Sequence, residues 1–202
     1  TALVSKLGED VEGDDDTIAV PAEASGTRGI ARGASTANVW GGAGGDRVNL
    51  SATATGSASS GARSVAAGID NQTVVFGGDG ADVMGISGNA SSSGRSGAAA
   101  RAYGVRSSSF FGGDGNDAMV ISATAEAERN ARAYGVFKST DVSAGEGDVF
   151  VVVTATTTAQ GSTAAYGLYE SKLFTGNGND RIIVQGVTNT ASGRGGYGAF
   201  KS

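Results

Sequence analysis

One segment recurs six times along the chain, and that recurrence constrains the fold more than any other feature. Read from the acidic residue that closes a Gly-rich cluster, the copies are Asp16-TIAVPAEA, Asp46-RVNLSATA, Asp82-VMGISGNA, Asp117-AMVISATA, Asp148-VFVVVTAT and Asp180-RIIVQGVT. Two residues after the Asp stand Ile18, Val48, Met84, Met119, Phe150 and Ile182, and four after it Val20, Leu50, Ile86, Ile121, Val152 and Val184. Small residues follow at six and eight, Ala22 and Ala24 in the first copy and Ala52 and Ala54 in the second. Alternation of period two is the mark of a strand with one buried face, here running from large to small side chains.

A second block precedes each Gly-rich cluster: ARGAST at 31, AAGIDN at 66, AYGVRS at 102, AYGVFK at 133, AYGLYE at 165 and GYGAFK at 196. It leads into apolar pairs such as Val39-Trp40 and Phe110-Phe111. The spacings between successive Asp residues are 30, 36, 35, 31 and 32, and the variation falls in Ser/Gly/Arg loops. Length changes confined to one loop are what a stack of coils tolerates. The spacing therefore predicts an all-β chain: a parallel β-solenoid, β-roll or β-helix-like, of six coils of about 31–36 residues with a thin, two-sheet core. Residues 1–202 form one repeat domain, with turns ending at Asp16, Asp46, Asp82, Asp117, Asp148 and Asp180. Segment 125–134, AEAERNARAY, would read as helix by propensity alone, but its equivalents in the other copies are rich in Ser and Gly.

Composition agrees with a thin core. Gly 35, Ala 33 and Ser 23 make up nearly half of the 202 residues, and Leu, Ile, Val and Phe together number only 38. That places the chain near the disordered class, yet a net charge of -5 is too small to hold it open. With no Cys there is neither a disulfide nor a thiolate site, and with no His the commonest general base and zinc ligand are missing. No nucleophile and base pair is visible, so no enzyme is expected. The acidic balance argues against nucleic acid, and the longest large apolar run, 149–153, is far too short to span a membrane.

The turns read GGAGGD (41–46), GGDGAD (77–82), GGDGND (112–117) and TGNGND (175–180), with looser versions VEGDDD (11–16) and AGEGD (144–148). Stacked coils place the terminal carboxylates about 4.8 Å apart, where each pair repels by about 1 kcal/mol even in water. A column of them needs a counter-ion or raised pKa values. Hard oxygen donors without His or Cys select Ca²⁺. The alternative is that Gly, Asn and Asp merely close the turns.

GGAGGDRVN, GGDGADVMG, GGDGNDAMV and TGNGNDRII resemble the GGxGxDxUx nonapeptide of the RTX, or haemolysin-type, calcium-binding repeats. The resemblance implies an extracellular protein with Ca²⁺ held between successive turns on one edge. It implies side-chain ligands at Asp46, Asp82, Asp117 and Asp180, with carbonyls of the glycine region, at Gly44, Gly80, Gly115 and Gly178, completing the shell. Asp79 and Asp114, inside the turns, and Asp148 and Asp16, which close the looser ones, are further candidates. About nine residues of each repeat match; the long arm between matches has no counterpart in that family.

Tyr103, Tyr134, Tyr166 and Tyr197 share a column, with Phe137, Tyr169 and Phe200 three residues on, and parity leaves their direction open. A stacked ladder filling a wall is the plain expectation, a sugar-binding strip the sharper one. Arg28, Arg63, Arg95, Arg129 and Arg194 gather at the loops opposite the acidic turns. A flat Ser/Thr face would suggest ice binding, but the expected outward positions Pro21, Ser51, Ser87, Ser122, Val153 and Gln185 are irregular. ALVSKL (2–7) matches 168–173 from Ser-Lys-Leu backward, and the chain closes on the equivalent Ser202. The chain is therefore expected to be either an excised piece or a subunit whose ends stack head to tail into a homopolymer. The resulting expectation is an extracellular, calcium-binding structural protein of a cell surface or secreted matrix, self-associating or filament-forming. The alternative is a Ca²⁺-dependent adhesin or secretion module from a larger RTX-like protein.

Overall fold

The computed structural model describes residues 15–94, 97–139, 141–190 and 195–202. The Ala2 position of the repeat, the ALVSKL match, residues 11–14 of the first turn, Arg95 and Arg194 lie outside the described residues. The chain is a parallel β-solenoid of six coils, and the described residues contain no helix. Segment 125–134 is strand on both sides of a short turn, in Ala118–Ala127 and Asn130–Phe137.

Each coil contributes to three parallel sheets. The first stacks Thr17–Gly26, Arg47–Ser57, Val83–Ser93, Ala118–Ala127, Phe150–Ala159 and Arg181–Asn189. The second stacks Arg28–Ser35, Arg63–Asp70, Ala99–Arg106, Asn130–Phe137, Ser162–Tyr169 and Gly196–Phe200. The predicted thin core lies between these two. A third sheet of shorter strands, Asn38–Ala43, Val74–Asp79, Ser109–Asp114, Val142–Ser143 and Leu173–Phe174, completes the coil before the Gly-rich turn. It is the apolar pair ahead of each turn, extended into a strand.

The core changes character across its width, as the alternation predicts. Next to the Gly-rich turns it is built from large side chains, Leu50, Met84, Ile86, Phe110, Met119 and Ile121 among them, all essentially inaccessible. At the far edge it is almost wholly alanine, including Ala52, Ala54, Ala102 and Ala133. Close approach of the two main sheets needs glycine in the second block. A Cβ on Gly68, Gly104, Gly135 or Gly167 would stand 2.6, 2.5, 2.4 or 2.4 Å from a γ-methyl of Ile86, Ile121, Val153 or Val184. Val136 beside Gly135 also faces the core, and Tyr134 and Phe137 on either side of this pair point outward. The aromatic columns therefore lie on the outer face of the second sheet. Tyr103, Tyr134, Tyr166 and Tyr197 stack at centroid distances of 5.3, 5.4 and 5.2 Å, with Phe137, Tyr169 and Phe200 packed edge-on against them.

One register differs from the sequence expectation. Phe150 pairs with Ala118 and Val151 with Met119, so the fifth coil is displaced by one residue. Its large core residues are Val151 and Val153 rather than Phe150 and Val152, and Val149 stands where Asp117 stands in the coil before. The turn is AGEGDV, six residues long like the others, with Gly145 and Gly147 at positive φ opposite Gly113 and Gly115. Val153 faces the core, and Thr154 takes its place on the outer face of the first sheet. The outward columns become Pro21, Ser51, Ser87, Ser122, Thr154, Gln185 and Glu23, Thr53, Asn89, Thr124, Thr156, Val187.

Between the second and third sheets the chain bends at a residue with positive φ: Thr36, Ser107, Lys138, Glu170 and Lys201 in five coils, Asn71 and Gln72 together in the second. A hydroxyl follows. Ser108, Ser171 and Ser202 each donate to the carbonyl two residues back, and their Oγ atoms accept N–H groups from Thr73, Ser139 and Ser171 one coil earlier. This seryl ladder uses polar groups that a tight bend would otherwise bury unpaired.

Candidate functional site

The Gly-rich turns stack in register along one edge of the solenoid, and their acids divide into an inner and an outer set. Asp46, Asp82 and Asp117 form the inner column and turn their carboxylates into the coil, 1, 0 and 2 % exposed. Each joins its coil to the one before. Asp46 Oδ1 accepts the Asp16 N–H at 2.8 Å, Asp82 Oδ1 the Asp46 N–H at 2.8 Å, and Asp117 Oδ1 the Asp82 N–H at 3.0 Å. Half-buried Asp180 does the same for the Val149 N–H at 3.1 Å. Asp16 enters the column through its N–H.

The second carboxylate oxygen meets a different environment. Oδ2 of Asp82 and of Asp117 is buried and accepts no hydrogen bond. A methyl built on Gly77 would lie 2.4 Å from Asp82 Oδ2 and 2.3 Å from the Gly112 carbonyl oxygen of the next coil. On Gly112 it would lie 2.4 Å from Asp117 Oδ2 and 2.0 Å from the Ala144 carbonyl oxygen, and Gly41 stands in the same relation to Asp46 and Gly77. The first glycine of these three turns thus lets a carboxylate oxygen and a main-chain oxygen pack against its Cα more closely than any side chain there would allow.

Burial raises the Asp82 carboxyl from its ordinary 3.8 to about 6, the Asp46 N–H opposing and the nearby Asp117, Asp46 and Asp79 charges adding to the rise. Asp117 is raised for the same leading reason, the Asp82 N–H opposing and Asp114 adding. Unpaired oxygen, negative charge and low accessibility together make the ionised column costly as it stands.

The outer set lies in solvent. Asp79, Asp114 and Glu146 form one exposed column. Asp148 belongs not to the inner column but to that of Asn116 and Asn179: its N–H donates to Asn116 Oδ1 at 2.9 Å, and its Oδ1 accepts the Asn179 N–H at 2.8 Å. Its acidic side chain closes the sequence motif, but the inward position is filled by Val149. Gly44, Gly80, Gly115 and Gly178 hold φ values of 121, 132, 138 and 149°. The carbonyls of Gly44, Gly80 and Gly115 face Gly80, Gly115 and Gly147 of the next coil.

Hard oxygen donors and a desolvated negative charge suit a cation such as Ca²⁺ at Asp46, Asp82 and Asp117. The fifth coil does not fit, because Val149 brings no oxygen and Ala144 replaces the first glycine. Among the described residues no three acidic side chains converge on one point, so main-chain oxygens and water would supply most of any coordination shell.

A second charged cluster escaped the sequence reading. Asp70 is buried on the second sheet, with its Oδ2 2.6 Å from Arg32 Nε and its Oδ1 2.5 Å from Arg106 Nε. Burial pushes this carboxyl up, but the hydrogen bonds of Arg106 and Arg32 outweigh it and hold the pKa below 3.8. Arg106 also lies over the Tyr103 ring, so the ion pair caps the aromatic stack where Arg32 and Ala67 replace tyrosine. The replacement of tyrosine in just those two repeats was its one sequence signal.

The chain matches no protein-family model, no curated protein and no solved structure.

Proposed function

We propose that the chain is an extracellular, calcium-binding structural protein, a self-associating solenoid segment of a cell surface or secreted matrix whose acidic edge is stiffened by bound Ca²⁺. The observation that carries this reading is the inner column, where Asp82 and Asp117 each bury an ionisable oxygen that accepts no hydrogen bond beside a carbonyl oxygen. Asp46, Asp82 and Asp117 would hold the ion, which would supply the positive charge that the buried column lacks. The residues themselves hold the turns in register through the Oδ1 bonds. Self-association, on this reading, would run through the sheet edges. The sheets end on Leu173–Phe174, Arg181–Asn189 and Gly196–Phe200, whose outward main-chain groups are offered to a further coil.

A second reading rests on the same edges: a further coil of a longer chain would pair there as well as a second copy, which suits an adhesin or secretion module. Calcium titration followed by calorimetry and far-UV circular dichroism tests the common premise. Ca²⁺ at millimolar levels should raise the melting temperature and Mg²⁺ should not; a melting temperature indifferent to both would remove the calcium reading. Sedimentation of the calcium-loaded chain separates the two versions, since polymers growing with concentration support self-association and a monomer supports the module.

A further inference from the structure

We propose that the outer face of the first sheet is an ice-binding surface, its hydroxyl columns arranged to hold water in the array of a growing ice face. This goes beyond the calcium reading and does not depend on it. The corrected register of the fifth coil is what exposes the pattern. Beside the two outward columns already given runs a third, Ser25, Thr55, Ser91, Glu126, Thr158 and Asn189. In the four inner coils ten of the twelve side chains carry a hydroxyl, the others being Asn89 and Glu126; the two end coils add Ser25 together with Pro21, Glu23, Gln185, Val187 and Asn189. All twelve are partly or fully exposed. Among the described residues none of the ten hydroxyls is hydrogen-bonded to a protein group, in contrast to the seryl hydroxyls of the bends.

Geometry selects the ligand. In-register parallel strands set identical positions about 4.8 Å apart across the sheet, and alternate residues recur about 6.7 Å apart along each strand. The result is a rectangular grid close to the two repeat lengths of a prism face of ice. A soluble small molecule or a single polymer chain could meet only one row of such a grid, whereas a periodic solid meets every row at once. Charge would oppose the match, because an ionic group orients water around itself rather than in a lattice. Charge lies at the margins of the face, at Glu23, Arg47, Glu126 and Arg181, and towards the turn edge Val83, Val120 and Phe150 are 43, 43 and 39 % exposed. Exposed apolar groups in such numbers point to a surface with a partner.

The test compares the 202-residue chain with Thr124→Tyr/Thr156→Tyr, with the milder Thr156→Lys, and with Arg101→Tyr on the outer face of the second sheet. Thermal hysteresis is read by nanolitre osmometry, and uptake into slowly growing ice by assaying the solid fraction, with circular dichroism confirming that each chain is folded. The wild type and Arg101→Tyr should separate the freezing from the melting point and enter the ice. Thr156→Lys should lose most of both effects and the double variant all of them. A folded wild type that leaves ice growth unchanged overturns the proposal, as does equal activity in Thr156→Lys. It is also overturned if the face proves to mediate dimerisation, abolished by the tyrosines, or adsorption to crystalline polysaccharide, with no effect on ice.

Discussion

Replacing Asp82 by Asn separates the two jobs of the inner column, because the amide keeps the shape of the carboxylate and discards its charge. Its Oδ1 can still accept the Asp46 N–H, and its Nδ2 places a donor on the side of the Gly112 carbonyl oxygen. In wild type without calcium, raising this carboxyl from 3.8 to about 6 means that its ionised form costs the folded state about 3 kcal/mol at neutral pH. Asp82→Asn should therefore be more stable than wild type in chelator by about 3 kcal/mol, or about 6–12 °C for a chain of this length. In millimolar Ca²⁺ the order should narrow or reverse, since only the wild type gains from the ion at this interval. Urea unfolding followed by circular dichroism at pH 7, with chelator and with calcium, measures all four values. A variant less stable than wild type in chelator would refute the claim that the buried charge is a cost. Full calcium stabilisation in the variant would refute the claim that Asp82 holds the ion. Substitution by alanine is the poorer probe, since it also leaves the Asp46 N–H without its acceptor.

Two further outcomes follow from the same geometry. In chelator, the folded state retains on Asp82 a proton that the unfolded chain releases between pH 3.8 and about 6, so stability should be highest near pH 4 and fall as pH rises to 6; Asp117 acts in the same direction, and denaturation midpoints across this range read the slope. Gly104→Ala should destabilise the chain by about 2 kcal/mol, because the added methyl would stand 2.5 Å from the Ile121 γ-methyl and 2.7 Å from the Gly135 carbonyl oxygen, and unchanged thermal melting would mean that the sheets are not held this close.

The architecture was legible because its cause is local and repeated. Alternation after each turn marks the first sheet, the glycine of the AYGV block marks where the second sheet must approach it, and both recur in every coil. The misplaced register of the fifth coil has an equally physical origin. Alignment on the acid treats Asp148 as the end of the turn, whereas the backbone is set by the two glycines that adopt positive φ. Aligned on Gly145 and Gly147, the motif becomes AGEGDV, and Thr154 falls into the hydroxyl column. The direction of the tyrosines was not legible because strict alternation fails at Gly135 and Val136, which both face inward. The Asp70 cluster was hidden for another reason: Arg32 and Arg106 lie 38 and 36 residues from it in sequence, and only the stacking of three coils brings them together.

Val149 and Ala144 also show what the inner column requires. The edge of the coil must be closed by a side chain that fills the interval behind the first turn residue. Asp with Gly does this in coils two, three and four, and Val with Ala does it in coil five, where no charge is introduced. The backbone stack is continuous through the exchange: Phe150 N–H still bonds the Asp117 carbonyl at 2.9 Å, and Arg181 N–H the Val149 carbonyl at 2.8 Å. Closing the coil is thus separable from carrying charge at this position, where the stack forms without an inward acid. On the calcium reading, coils two to four form the responsive part of the edge, and the response ends at Val149. Val149→Asp with Ala144→Gly would then extend it by one coil, adding a metal-dependent gain in stability and a matching loss in chelator, whereas a change of the same sign in both buffers would mean that the column responds to packing alone.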